Sequence, residues 1–196
     1  MTNWKRWICM GLAVLLLAGC AGQQEQTEDP LEGLTQDETE EIEEDDGDFA
    51  FPSFDTVDLQ GEPVSEAYFK QTELTLVVIW GTGDAGCKAE LSALEELSRQ
   101  YADKGFQVLG LAADAAQEEK RSLAQQISKD SGVSYPQMVP SKDSVMQELL
   151  GSSTILPTSF LVTQEGYLMG EFYQGAKGRE FWAQLIETCL SELSSG

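Results

Sequence analysis

The chain contains no histidine among its 196 residues. That absence excludes Ser-His-Asp and Cys-His nucleophile pairs, the zinc ligand sets that include histidine, and c-type haem attachment. Basic residues are also scarce, since 12 Lys and Arg stand against 34 Asp and Glu and the formal net charge is −22. A surface this acidic repels phosphate backbones. We therefore expect no nucleic-acid partner, no bound metal and no other cofactor.

The first twenty residues combine a short basic segment with an apolar run. Lys5 and Arg6 precede apolar residues 8–18, and the sequence LAGC ends at Cys20. The run is short for a transmembrane span and has the layout of a signal peptide. LAGC also resembles the bacterial lipobox, which implies a lipid on Cys20 and an anchor on the extracytoplasmic face of the membrane. An uncleaved anchor or an ordinary signal peptide is the alternative.

Residues 21–48 form a strongly acidic stretch. They include thirteen Asp or Glu, no Lys or Arg, and three large apolar residues. Such a segment cannot bury enough apolar surface to offset the entropy of ordering it. We expect a solvated spacer that reaches at least roughly 30 Å. A calcium-binding or docking role is the alternative, although the acids lack the spacing of a calcium loop. Residues 49–196 are predicted to form one domain.

The segment from Trp80 to Glu90 is the most informative part of the chain. The apolar run from Leu74 to Trp80 predicts a strand covered on both faces, and a helical pattern begins near Cys87 after a turn of small residues. A cysteine at a helix N-terminus has its pKa lowered by free backbone N–H groups and by the helix dipole. A dithiol cycle needs a second thiol. Cys87 is the single cysteine of this segment.

These residues resemble the active-site motif of the membrane-tethered TlpA/ResA-like branch of the thioredoxin superfamily. The positions that match in register are Trp80, Thr82, Cys87 and Glu90, whereas Asp84 occupies the position of the first cysteine. Residues 155–172, ILPTSFLVTQEGYLMGEF, are similar to the family segment that opens with a cis-proline. The resemblance covers residues 51–193. It implies an α/β thioredoxin fold, in which a mixed central sheet has helices on both faces and an N-terminal β-hairpin extension.

The resemblance also implies roles for individual residues. Cys87 corresponds to the second, more buried thiol, and burial and reactivity remain equal alternatives for it. Asp84 is interpreted as a helix N-cap whose charge raises the pKa of Cys87. Glu90 would assist proton transfer in the family, but a solvated helix charge is the favoured interpretation because there is no dithiol to serve. Pro157 is expected to be cis, with a trans proline at the start of a strand as the alternative.

The hydrophobic pattern predicts alternating strands and helices. Residues 51–69 read as a hairpin turning at Gly61, followed by a helical turn capped by Ser65. Strands are predicted at 74–79, 106–112, 159–163 and 167–173, an extended edge segment at 133–139, and helices at 86–102, 117–130, 142–150 and 178–193. The last helix has an apolar stripe that includes Cys189. We therefore expect Cys189 to be a buried thiol that does not pair with Cys87.

Three functions are compatible with these patterns. The first is a thiol-disulfide oxidoreductase relative in which Cys87 performs single-thiol chemistry on exported protein thiols or disulfides. The second is a non-catalytic module that binds an extended peptide or partner beside Trp80, Asp84 and Pro157. The third is a structural spacer at the envelope surface. Family resemblance favours the first, while the missing cysteine leaves enzymatic activity undecided.

Overall fold

The computed structural model of the chain describes residues 50–142 and 144–195. The predicted signal peptide, Cys20 and the acidic spacer lie outside the described residues. Within the described part, the strands are β1 (Asp55–Val57), β2 (Pro63–Ser65), β3 (Leu74–Trp80), β4 (Phe106–Ala112), β5 (Gln137–Met138), β6 (Thr158–Thr163) and β7 (Leu168–Gln174). The helices are α1 (Ala85–Tyr101), α2 (Glu118–Asp130), α3 (Ser144–Ser152) and α4 (Arg179–Leu193).

The central sheet has the strand order β5-β4-β3-β6-β7. Strand β3 pairs in parallel with β4 and antiparallel with β6, while β5 adds a short parallel edge. All seven residues of β3 are buried, as expected for an apolar run in a central strand covered on both faces. This register places Trp80, Ala112 and Thr158 at one end of the sheet. The candidate site lies at that end.

The N-terminal hairpin forms as predicted. Strands β1 and β2 pair antiparallel, and Gly61 adopts a φ of 91° in the loop between them. A 3₁₀ helix follows at Glu66–Gln71, and the Ser65 hydroxyl accepts a hydrogen bond from the backbone N–H of Ala67. A positive φ favours glycine because it has no Cβ to clash with the backbone.

Two apolar clusters cover the faces of the sheet. Helices α1, α2 and α4 pack on one face, whereas α3 and the N-terminal segment pack on the other. Cys189 of α4 is 6% exposed and belongs to the first cluster, which confirms the buried thiol predicted from the helical stripe. Cys87 and Cys189 are both free.

No helix among residues 50–142 and 144–195 combines the length and the apolar character needed to cross a lipid bilayer.

Candidate functional site

Asp84 caps the helix that follows the central strand. Its backbone is extended, with a φ of −105° and a ψ of 125°, and its Oδ1 accepts a hydrogen bond of 3.0 Å from the backbone N–H of Cys87. The capping interpretation is therefore confirmed. The aspartate satisfies one of the free N–H groups that would otherwise stabilise a thiolate at this helix terminus.

Cys87 lies beneath this cap with no exposed surface. Burial, together with the negative charges of Asp84 and Glu90, raises the pKa of its thiol to about 11, while a backbone hydrogen bond from Gly81 acts in the opposite direction. Of the two alternatives for this residue, the geometry favours burial. The expected effect of Asp84 on the thiol has the predicted sign, although loss of solvation is the larger cause.

Glu90 is buried, so the favoured interpretation as a solvated helix charge was wrong. It is 2% exposed, and its carboxylate accepts hydrogen bonds from Trp182 Nε1 at 2.8 Å and from the backbone N–H of Lys177 at 3.2 Å. Burial raises the pKa of Glu90 to about 7, against the effect of these two donors and of the Lys177 charge. The carboxyl group therefore titrates near neutral pH.

The helical spacing explains why Glu90 points inward. Residues three and four apart lie on one helix face, so Glu90 shares the face of Cys87, Leu91 and Leu94, which are completely buried. The turn between β7 and α4 then covers it through Lys177. The interpretation of Glu90 as a solvated helix charge failed because it treated Glu90 as one of many surface acids. The two groups that donate hydrogen bonds to its carboxylate lie 87 and 92 residues further along the chain.

Trp80 and Thr82 hold the start of this loop in place. Trp80 is fully buried, and its Nε1 donates a hydrogen bond of 2.6 Å to Gln137 Oε1. It is therefore a core residue and not part of an exposed binding surface. The Thr82 hydroxyl donates to Asp114 Oδ2, and the backbone N–H of Thr82 lies 3.3 Å from both oxygens of that carboxylate.

Sequence reasoning missed Asp114 and Gln137. Asp114 follows β4 at the same sheet edge at which β3 ends, because the two strands are parallel. An acid directly after a predicted buried strand was the available signal for this contact with Thr82. Gln137 had no such signal, since the extended segment that contains it was recognised only as an edge strand.

The loop before β6 completes the site. The peptide bond between Leu156 and Pro157 is cis, as the resemblance implied. The carbonyl oxygen of Pro157 accepts a hydrogen bond of 2.8 Å from Gly175 N, which joins this loop to the turn after β7. A Cβ on Gly81 would lie 3.1 Å from Leu156 Cδ1, so the two loops approach closely. Beside them, Ile155 is 51% exposed.

The site holds one buried thiol, one buried carboxyl group and one exposed carboxylate. It can form a single mixed disulfide only if the thiol is uncovered and deprotonated. Across the described part of the chain, no group of three or more His, Cys, Asp or Glu side chains is arranged to hold a metal ion.

A mixed sheet, a capped helix after its central strand and a cis-proline loop beside that helix define a thioredoxin-fold redoxin. Solved structures support the same fold: a putative DsbE-type thiol:disulfide interchange protein from Chlorobium tepidum aligns over 73% of this chain and 96% of its own, with a TM-score of 0.61 and 21% identity. The chain belongs to the AhpC/TSA family, whose profile matches residues 48–170.

Relatives of greater sequence similarity place it in the TlpA/ResA-like group. The chain is 27% identical over 136 residues to the thiol-disulfide oxidoreductase ResA of Bacillus thuringiensis subsp. konkukian, an alignment that spans 69% of this chain and 72% of the relative. A putative thioredoxin from Neisseria meningitidis is 27% identical, with a TM-score of 0.56, over 73% of this chain and 90% of its own. The protein is thus a thioredoxin-like relative of thiol-disulfide oxidoreductases.

Proposed function

We propose that this protein is a lipid-tethered extracytoplasmic module that binds an extended peptide segment of an exported partner without exchanging electrons with it. The lipobox at Cys20 supports the tether and the location. The surface around Asp84 and Ile155 supports the binding role. Such a module would use the loops around the site for binding and would not perform the family's dithiol chemistry.

The state of Cys87 is the single observation that supports this proposal most strongly. The thiol is completely buried, and its pKa of about 11 lies far above the pH of most cell envelopes. On the order of one thiol in several thousand is then ionised near pH 7.4. Since the thiolate is the attacking species, exchange with a partner disulfide is slow.

The exposed rim of the site suits contact with a main chain. Gly83, Asp84 and Ala176 are exposed around the helix N-terminus, and Ile155 presents an apolar side chain on the cis-proline loop. A Cβ added to Gly83 would meet no atom within 4 Å, which leaves open space in front of the helix. An extended segment lying in this space would contact apolar surface at Ile155 and main-chain groups at the loops.

Single-thiol chemistry is the second candidate, and the buried Glu90 favours it. A carboxyl group with a pKa of about 7 can accept the proton of Cys87 if the loops open. The thiolate would then attack a partner disulfide, form one mixed disulfide and release the other partner sulfur as a thiolate. An external thiol would have to resolve the product, because Asp84 offers none.

The reactivity of Cys87 distinguishes these candidates. We expect iodoacetamide to label Cys87 in the unfolded chain but not in the native chain between pH 7 and 8, as measured by mass spectrometry of the Cys87 peptide. In an insulin reduction assay the native chain should be inactive, and Asp84→Cys, which restores two thiols three residues apart, is the positive control. Rapid native labelling together with turnover lost in Cys87→Ser would favour the single-thiol candidate.

Peptide binding at the rim can be measured directly. We expect Ile155→Asp to weaken binding of a reduced and carboxamidomethylated secreted protein at least about three-fold, because apolar contact surface is lost. Leu123→Asp is the matched control, since Leu123 is 43% exposed and lies on α2, which contributes no residue to the rim. Binding that is unchanged in Ile155→Asp, or reduced equally in both variants, would refute the proposed rim. Cys87→Ala should leave binding of the secreted protein unchanged.

A further inference from the structure

A second surface lies on the opposite side of the sheet from Cys87, between α3 and the edge strand β7. We call it the α3–β7 groove. It encloses about 160 Å³ and is lined mainly by apolar side chains, with the carboxylate of Glu148 and the hydroxyl of Ser152 among them. The apolar lining consists of Phe51, Pro52, Leu149, Phe160, Leu168 and Phe172.

Three aromatic rings form its floor and wall. The rings of Phe51 and Phe160 are stacked with centroids 5.7 Å apart, and Phe172 lies tilted over Phe160 at 4.9 Å. Phe160 is completely buried, whereas Phe172 is 43% exposed. A cavity of about 150 Å³ accommodates a benzene ring. The groove is therefore large enough for one aromatic or branched aliphatic side chain.

The charged residue that lines this groove is an acid, Glu148. Helix α3 and strand β7 contain no Lys or Arg. Residues 49–196 as a whole contain 21 acidic and 10 basic residues, a net charge of −11. Faces of aromatic rings also attract cations. The groove and its rim thus favour an apolar side chain whose neighbours are positively charged.

The same charge argues against two other occupants. The acidic stretch at residues 21–48 would bring up to thirteen further negative charges beside Glu148. A second copy would place two acidic domains edge to edge. Like charges at such contacts are unfavourable.

Strand β7 has an edge that an extended segment can follow. Among the described residues, its outer side pairs only with Ala50, which bridges Tyr167, and Phe51 N donates to Gly166 O at 2.7 Å. The register of β7 against β6 shifts between Ser159 and Leu161. This bulge limits pairing to a short stretch, so side-chain recognition in the groove must supply most of the specificity.

We propose that the α3–β7 groove binds a short extended segment of an exported protein in which one large apolar side chain is flanked by Arg or Lys. The apolar side chain enters among Phe51, Phe160 and Phe172. The basic neighbours lie beside Glu148. This surface is independent of Asp84 and Cys87, so it gives the module a second contact with a partner.

Three blocked seven-residue peptides test the proposal on the full chain held in phosphatidylcholine nanodiscs. One has a central Phe flanked by Arg and Lys, the second has the same Phe flanked by two Glu, and the third has Ala in place of Phe. We expect the first to bind at least about ten-fold more tightly than the others by fluorescence anisotropy, because it alone satisfies both the cavity and the rim. Equal binding of the three peptides, or no binding of the first at 1 mM, would overturn the proposal.

Matched variants locate the contact. Phe172→Ser should weaken binding of the first peptide at least about ten-fold, whereas Phe181→Ser should change its binding less than about two-fold. Phe181 is 39% exposed and packs against Tyr173 and Trp182 on the other face of the sheet. Equal effects of the two variants would place the binding elsewhere.

A charge reversal keeps the test decisive even if Phe172→Ser unfolds. Glu148→Lys should weaken binding of the first peptide by about two- to five-fold and strengthen binding of the peptide with two Glu. Failure to shift this preference would refute the rim contact. Sedimentation equilibrium provides a further test: a dimer that Glu148→Lys alters would show that a second copy occupies the groove and would also overturn the proposal.

Discussion

At the scale of single residues, the defining feature is a buried acid beside a buried thiol. Glu90 and Cys87 lie on one face of α1, and the negative charge of Glu90 raises the pKa of Cys87. Asp84 adds a second carboxylate whose charge acts in the same direction. An environment of this kind keeps the thiol protonated, which is the opposite of what a nucleophilic cysteine needs.

The titration of Glu90 predicts a pH-dependent stability. Its pKa is 4.5 as an unperturbed group and about 7 in the folded chain, so the folded state binds more protons between these values. The free energy of unfolding should therefore fall as pH rises from about 4.5 to about 7, by an amount of order 3 kcal/mol. Glu90→Gln should lack this decline, as measured by urea unfolding at pH 5 and pH 8.

Glu96→Gln is the control for that measurement. Glu96 lies on the same helix, but its side chain is 67% exposed and contacts Arg179 at the surface. Its substitution should leave the pH dependence of the wild-type chain in place. Identical pH profiles for the Glu90 variant and the wild type would contradict the assignment.

At the scale of elements, the packing of β3, β4 and β5 depends on one glycine. A Cβ added to Gly110 of β4 would lie 2.1 Å from Gln137 Oε1, the atom that accepts the hydrogen bond from Trp80. The missing side chain therefore leaves room for a buried amide between two strands. The Gln137 amide links Trp80 of β3 to the edge strand β5.

Gly110→Ala should destabilise the fold by about 1–3 kcal/mol, because the displaced amide leaves the buried indole N–H of Trp80 without its partner. Thermal unfolding gives the measurement. Gly83→Ala is the matched control, since Gly83 lies in an open loop with no atom within 4 Å of the added Cβ. A loss of stability no larger than that of the control would show that Gln137 moves aside freely.

The elements themselves were accessible from the sequence. Strand β4 spans residues 106–112 as predicted, and α1 and α4 begin within one residue of their predicted starts. Their signals are local: apolar runs for strands, stripes of spacing three and four for helices, and glycine at the turns. Helix α3 was predicted at 142–150 and is observed at Ser144–Ser152, a shift of two residues at each end.

At the scale of the whole molecule, the net charge bears on the proposed tether. A chain of net charge −22 repels anionic lipid headgroups, so an anchor is needed to keep it at a membrane. The proposed lipid on Cys20 would supply that anchor. The acidic residues 21–48 lie between that cysteine and the described part of the chain.

Cys20→Ala should release the protein from the membrane. We expect the wild-type chain to sediment with membranes and to carry the mass of a lipid on its mature N-terminus, and the variant to lose that added mass because the thioether cannot form. Intact mass spectrometry and fractionation provide the measurement. Cys9→Ala, which removes the other N-terminal thiol, should change neither result. A wild-type mass without lipid would contradict the tether.

The sequence by itself determined the order of strands and helices, the register of the Trp80 to Glu90 motif and the absence of a second thiol from that motif, because these depend on residues close together in the chain. The tertiary structure decided that Glu90 is buried, that Asp114 holds Thr82 and that three phenylalanines line a groove. Each of these depends on contacts between residues far apart in sequence. Such contacts exist only once the sheet has brought its strands together, and they set the solvation that fixes the chemistry of each group.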